Sequence, residues 1–297
     1  MTPSAVTPPA LAGPAVVPPP YGPPCARLDR LFDRVRYQGR PLLAGCLPAG
    51  WPPALAGNAA AWQALAAGVD LVEIALPSDD PYFDGDAMRA ANQESLAAGY
   101  RHEDTLALIS WLSVRVPVLV MTYWRAVDRY GPGRMARDLA AAGAAGAVLP
   151  DLPICRTAHW AWTASAAGLH TVLLASPDGA PRHPGGAGSG AVYLPATAGP
   201  TGSRSGPAPG LSRRVNRART QTGLPVITGI GISAPRDAAV AARAGADCVL
   251  VGSAFTRAVA SPGPGGDSGA AVSRLAGAFR ESLVPCFAPG SADYRAA

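Results

Sequence analysis

The chain has 297 residues, 48% of them hydrophobic, enough to bury a core of ordinary size in one large domain or two small ones. Its formal charge of +5 comes from 25 basic residues, all of them arginine, and the missing lysine excludes Schiff-base aldolases, self-anchored pyridoxal phosphate and P-loop nucleotide hydrolysis. No apolar run approaches about 18 residues and no basic start leads into an apolar block, so no membrane span or secretory signal is expected and the chain reads as cytoplasmic.

Residues 1–26 hold nine prolines among small residues, a composition that extends as a disordered, polyproline-like tail outside the core. The next apolar runs mark eight candidate strands: 41–47 (PLLAGCL), 70–76 (DLVEIAL), 116–122 (VPVLVMT), 146–150 (GAVLP), 170–175 (HTVLLA), 191–195 (AVYLP), 225–229 (PVITG) and 247–251 (DCVLV). Several are preceded by alanine-rich helical stretches that end in a glycine suited to a left-handed helix stop, at Gly68, Gly143, Gly168, Gly245 and, more loosely, Gly223. Continuous apolar strands alternating with helices predict a parallel sheet covered on its outside, and eight such units predict a (β/α)8 TIM barrel. A doubly wound open sheet is the competing architecture. Its best support, GIGISA at 229–234, satisfies a dinucleotide fingerprint, but at the seventh strand and without the acidic residue expected after it.

Five cysteines and four histidines are scattered without CxxC or Cys/His clustering, which argues against a zinc site or a disulfide framework. The densest basic run, RRVNRAR at 213–219, reads as the solvated face of a helix in preference to a nucleic-acid surface. Residues 261–270 (SPGPGGDSGA) read as a loop.

In DLVEIALP, alternation puts Val72, Ile74 and Leu76 on one face and Leu71, Glu73 and Ala75 on the other. With the branched trio against the helices, Glu73 points into the barrel, where burial raises its pKa toward that of a proton-shuttling acid/base. A buried ion pair with an arginine is the alternative. Asp84 lies eleven residues on, in a loop within reach of the same strand end, and two carboxylates in unlike surroundings divide acid and base work. Asp79, Asp80, Asp84 and Asp86 also read as ligands of Mg²⁺ or Ca²⁺, or as turn residues beside Pro77, Pro81 and Gly85. Three glycine-rich strand ends, AGPTG (198–202), GIGIS (229–233) and VGSAF (251–255), favour a phosphorylated substrate over plain turns.

Those blocks together resemble the alpha chain of tryptophan synthase over about residues 27–285. VEIALPSDDPYFDGD is similar to the family's strand and loop, and YLPATAGPTG, GIGIS and VGSAF follow in the family's order. The resemblance implies a single barrel domain at 27–285, a tail at 286–297, and cleavage of indole-3-glycerol phosphate to indole and glyceraldehyde 3-phosphate without metal or organic cofactor. It implies that Glu73 is the acid/base at indole C3 and at the glycerol hydroxyl, and that Asp84 accepts the indole N–H. Tyr193 matches the tyrosine lining the site and Thr201 the mobile-loop threonine that helps place Asp84. Gly202, Gly231, Gly252 and Ser253 match the phosphate cradle. Pro77, Asp80 and the position of Arg125 match loops that face a pyridoxal-phosphate-dependent beta chain in a heterotetramer. The chain departs from the family pattern at Asp79, Asp86, Arg125 and Ala196, and at Cys46, which takes a place commonly aromatic. Two further readings are an alpha-like subunit that binds and activates a beta-type partner with little turnover, and a specialised copy acting on a substituted indole. Another phosphate-handling barrel, such as a sugar-phosphate isomerase, is the third class.

Overall fold

The structure, a computed structural model, describes residues 25–53, 55–183, 187–197, 206–263 and 265–283. Eight parallel strands follow in chain order: β1 (Leu42–Pro48), β2 (Leu71–Ala75), β3 (Val118–Met121), β4 (Gly146–Val148), β5 (His170–Leu174), β6 (Val192–Pro195), β7 (Val226–Gly229) and β8 (Cys248–Val251). Each pairs with its sequence neighbours, and β8 returns to β1 from Leu42↔Cys248 to Gly45↔Val251, so the sheet closes. The barrel predicted from the apolar runs is the barrel observed, and every predicted strand contains an observed one or overlaps it within a residue or two.

Helix α1 (Cys25–Gln38) precedes β1 and takes in Cys25 and Ala26, residues whose composition had grouped them with the proline-rich tail. The tail itself, residues 1–24, and the C-terminal residues 284–297 lie outside the described residues. The remaining helices are α2 (Leu55–Gly68), α3 (Asp86–Ala97), α4 (His102–Ser113), α5 (Trp124–Tyr130), α6 (Pro132–Ala142), α7 (Ile154–Ala166), α8 (Leu211–Thr222), α9 (Pro235–Arg243), α10 (Ser253–Ala260) and α11 (Ser268–Ser282). Among the described residues no helix separates β5 from β6. That connection, SPDGAPRHPGGAGSG, is built from helix breakers.

The two-residue period of the strands sorts the core into two layers. Val72, Ile74, Val118, Val120, Val249 and Val251 pack outward against the helices. Leu42, Ala44, Leu71, Ala75, Leu119, Val172, Tyr193, Ile227, Cys248 and Leu250 fill the interior, and Leu28, Leu31, Phe32 and Val35 of α1 join that inner cluster. The N-terminal strand ends, which α1 closes, are also pinned by charge: Asp70 accepts from Arg40 at 3.1 Å, from Arg280 at 3.3 Å and from the Leu43 N–H at 2.9 Å.

Four of the five glycines expected to stop helices adopt positive φ: Gly143, Gly168, Gly223 and Gly245. Gly68 does not. It is the last residue of α2, and a Cβ there would sit 2.6 Å from Ala276 Cβ on α11, so this glycine serves close helix packing rather than a left-handed turn.

The run at 213–219 is also more structural than a solvated face. Arg214 turns inward from α8 and donates to the carbonyls of Pro195 (3.1 Å), Ala196 (2.8 Å) and Ala208 (3.3 Å), which ties down the chain after β6. Arg219 pairs with Asp247 at 2.8 Å, and Arg217 with Asp178 at 2.8 Å.

Candidate active site

Glu73 occupies the middle of β2 with its neighbours in register on both sides, Cys46 of β1 and Leu119 of β3. It is 4% exposed, and its Oε2 is buried without a hydrogen-bond partner. Among the described residues no arginine pairs with it; the buried ion pair weighed from the sequence is not formed. Burial raises its pKa, the neighbouring Cys46 thiol partly opposes that, and the nearby charge of Asp84 adds to it, leaving the carboxyl at about 7.

Asp84 is 5% exposed, at the end of the β2–α3 loop, where its N–H donates to Pro81 O at 2.9 Å. Its Oδ1 accepts from the Tyr123 hydroxyl at 3.2 Å, and Arg89 of α3 holds its backbone carbonyl at 2.7 Å. Burial raises its pKa, the Tyr123 bond and the Arg89 charge oppose, and the result is about 6. The pair is therefore two carboxylates that sense each other while differing in surroundings, the drier one with the higher value.

Tyr123 was missed by sequence reasoning. It stands just past β3, buried, and also accepts from the Phe83 N–H at 3.3 Å, so one side chain fixes two points of the loop bearing Asp84. The signal was present in MTYW, a tyrosine directly after a strand's carboxyl end, where barrels carry functional groups.

Tyr193 points inward from β6 and is buried beside Glu73, whose charge reaches it. Its hydroxyl lies against Gly229, where a Cβ would be 2.0 Å away. The chain then turns through Ile230 at φ +49 and Gly231 at φ +100. A β-branched residue in that region is an outlier worth roughly 1–3 kcal/mol of strain, of the kind that collects at binding sites. Behind the turn, Asp237 Oδ2 accepts from the Ser233 N–H (3.0 Å), the Ser233 hydroxyl (2.9 Å) and the Ala234 N–H (2.9 Å), which fixes the start of α9. Gly252 follows β8, and Ser253, 6% exposed, opens α10. The GIGIS and VGSAF loops thus lie on adjacent strands at the C-terminal face, with glycine backbone and a helix start facing the same end as the carboxylates. Thr201 and Gly202 lie outside the described residues.

The acidic loop does not gather as a metal site. Asp79 is exposed and pairs with Arg125 at 3.8 Å and Arg129 at 3.9 Å, Asp86 is exposed at the start of α3, and Asp84 is turned inward. Pro77 and Arg125 line a groove of about 450 Å³ beside this rim, together with Asp79, Tyr100, Arg129 and Tyr130. Asp80 is exposed, with its N–H on Ser78 Oγ at 3.2 Å. No helix among the described residues is long and apolar enough to cross a membrane.

The family model described as "Tryptophan synthase alpha chain" matches residues 32–277. The tryptophan synthase alpha chain of Streptomyces avermitilis is 40% identical over 228 residues, covering 75% of this chain and 82% of the relative. That of Streptomyces coelicolor is 39% identical over 228 residues, covering 75% and 84%. Among solved structures, tryptophan synthase from M. tuberculosis in its aminoacrylate-bound form superposes with a TM-score of 0.75 at 31% identity, covering 86% of this chain and 99% of that one.

Proposed function

The chain belongs to the tryptophan synthase alpha chain family, a lyase that cleaves indole-3-glycerol phosphate to indole and glyceraldehyde 3-phosphate, and from that premise we propose which of its residues do the work. The observation that supports the assignment most directly is Glu73: a buried carboxyl held near pKa 7, with an unpartnered oxygen inside the barrel.

The bond to be broken joins indole C3 to a carbinol carbon, and its electrons must flow into the ring. An intact indole cannot take them. Glu73 in its neutral form protonates C3, which makes that carbon tetrahedral and places positive charge on the C2–N1 portion of the ring. Asp84, ionised above about 6, accepts the indole N–H and steadies that charge. The Glu73 carboxylate so formed takes the proton of the carbinol hydroxyl. The C–C bond breaks, the carbinol becomes the aldehyde of glyceraldehyde 3-phosphate, and the bonding pair restores the aromatic ring at C3. Glu73 is left protonated for the next turnover.

The phosphate lies, in this reading, against Gly231, Gly252 and Ser253; Thr201 and Gly202, which the resemblance assigns to the same site, lie outside the described residues. Tyr193 forms the wall between the phosphate end and Glu73. The rim bearing Pro77, Asp80 and Arg125 receives a pyridoxal-phosphate-dependent tryptophan synthase beta chain in a heterotetramer. The support for that is family membership and the position of Pro77 and Arg125 along one groove, with Asp80 exposed beside Asp79 of its lining.

Incubating the full chain with indole-3-glycerol phosphate tests the assignment. Indole and glyceraldehyde 3-phosphate appear in equal amounts, and Glu73→Gln stops both while leaving phosphate-ester binding in place. Indole release that survives Glu73→Gln at the wild-type rate would sink it.

A further inference from the structure

Cys46 is a side chain inside this site to which the reaction as written gives no task. It stands on β1 directly opposite Glu73 in strand register, 3% exposed, within the inner cluster. Its Cβ lies 3.6 Å from where a Cβ on Gly252 would stand, so it bridges the space between the acid/base and the β8 loop. On the other flank of Glu73 the register partner is Leu119, which has no polar atom to offer. Of the two side chains that flank Glu73 in register, only the Cys46 thiol can donate toward its carboxyl, whose Oε2 has no hydrogen-bond partner.

We propose that Cys46 is a positioning residue, whose thiol holds the Glu73 carboxyl against the β1 wall so that Oε2 stays free to exchange its proton with substrate. The inference rests on the acid/base reading of Glu73 above and extends it. Burial keeps the thiol protonated, its pKa pushed well above the ordinary value by desolvation and then by the Glu73 charge, so it donates throughout the working range. A donor toward the carboxyl favours the ionised form and offsets part of the effect of burial. Without that donor Glu73 holds its proton more tightly and passes it on less readily. The thiol also keeps the carboxylate left after C3 protonation from being wholly unpaired in a dry cavity.

The test is the pH dependence of kcat/KM for indole-3-glycerol phosphate in the full chain, in Cys46→Ala and in Cys46→Ser. Alanine should move the alkaline limb upward by about one pH unit, the size expected for one hydrogen bond to a charged group, and lower kcat about tenfold with KM little changed. Serine, which restores a donor of similar size, should return the limb to the wild-type position or below it. An alanine variant whose limb stays put overturns the proposal, and so does a serine variant that shifts together with alanine, because a packing defect alone then accounts for both. Infrared spectroscopy of the S–H stretch covers the case in which the variants do not fold. The wild-type minus Glu73→Gln difference spectrum should contain a displaced S–H band that follows the titration of Glu73, and a flat difference overturns the proposal. Because this band is read without turnover, failure of the thiol contact is distinguishable from failure of the lyase assignment, which shows instead as indole release by Glu73→Gln.

Discussion

The hydroxyl of Tyr123, at the end of β3, donates to Oδ1 of Asp84 in the neighbouring β2 loop at 3.2 Å, with both side chains buried. The contact ties a mobile type of element to the rigid sheet and favours the ionised form of Asp84 that must accept the indole N–H. Tyr123→Phe removes the donor without opening a large cavity. The acidic limb of kcat/KM should move upward from about 6 by about one pH unit, and near pH 6.5 the rate should fall about threefold. An unmoved limb in the phenylalanine variant would mean that the loop, and not this hydrogen bond, sets the ionisation of Asp84.

Glu73 must be neutral to act first and Asp84 charged to assist, so the wild-type kcat/KM should peak between about 6 and about 7 and decline on both sides. The two carboxyls interact, so the limbs belong to the pair. Stability has its own sign. The folded-state pKa of Glu73 is raised above its ordinary 4.5, so its contribution is fully present below about 4.5 and is lost as pH rises through about 7. Glu73→Gln has no proton to lose, and at pH 8 it should be more stable than wild type by up to about 3 kcal/mol, with the gap closing at pH 5. Parallel urea titrations at the two pH values check this, and equal gaps at both would contradict it.

Gly231 has φ +100, and a Cβ there would meet Thr197 Cγ2 at 2.4 Å. Gly231→Ala should cost on the order of 2 kcal/mol of stability and displace the backbone argued to hold phosphate. The expected kinetic signature is a larger rise in KM than fall in kcat, together with weaker binding of glycerol phosphate by calorimetry. Unchanged glycerol phosphate binding would remove this loop from the phosphate site.

At the opposite end of the barrel, burial alone would raise the pKa of Asp70. The hydrogen bonds from Arg40 and the Leu43 N–H, with the charges of Arg40 and Arg280, instead hold it below its ordinary 3.8. The resulting stability is present above 3.8 and disappears as pH falls through the lower folded value. Asp70→Asn should lose roughly 2 kcal/mol at pH 7 and little at the acid end, measured by thermal unfolding across that range, while indole release at 25 °C stays within about twofold. A stability loss that does not depend on pH would point to packing instead of charge.

Much of this molecule was legible from residue order. Period-two alternation in DLVEIALP turned Glu73 inward, and glycine-ended helices followed by apolar runs located the strands. What escaped were relations between elements distant in sequence. Tyr123 lies 39 residues from the Asp84 it serves. Gly68 looked like a helix stop because the sequence around it has that form; its reason is Ala276, on a helix that reaches it only after the barrel closes. Arg214 sat in a basic run that read as solvated, and only the turn after β6 supplies the carbonyls that draw it inward.

The register that joins Leu42 to Cys248 has a consequence for biosynthesis. While the polypeptide is still being translated, β1 has β2 on one side and bare amide groups on the other until residue 248 has left the ribosome. The face of α2 that receives α11 waits longer still, until Ala276 and Arg280 arrive at Gly68. A nascent chain stalled earlier exposes both a strand edge and an apolar helix stripe, surfaces that chaperones recognise and that the finished cylinder hides.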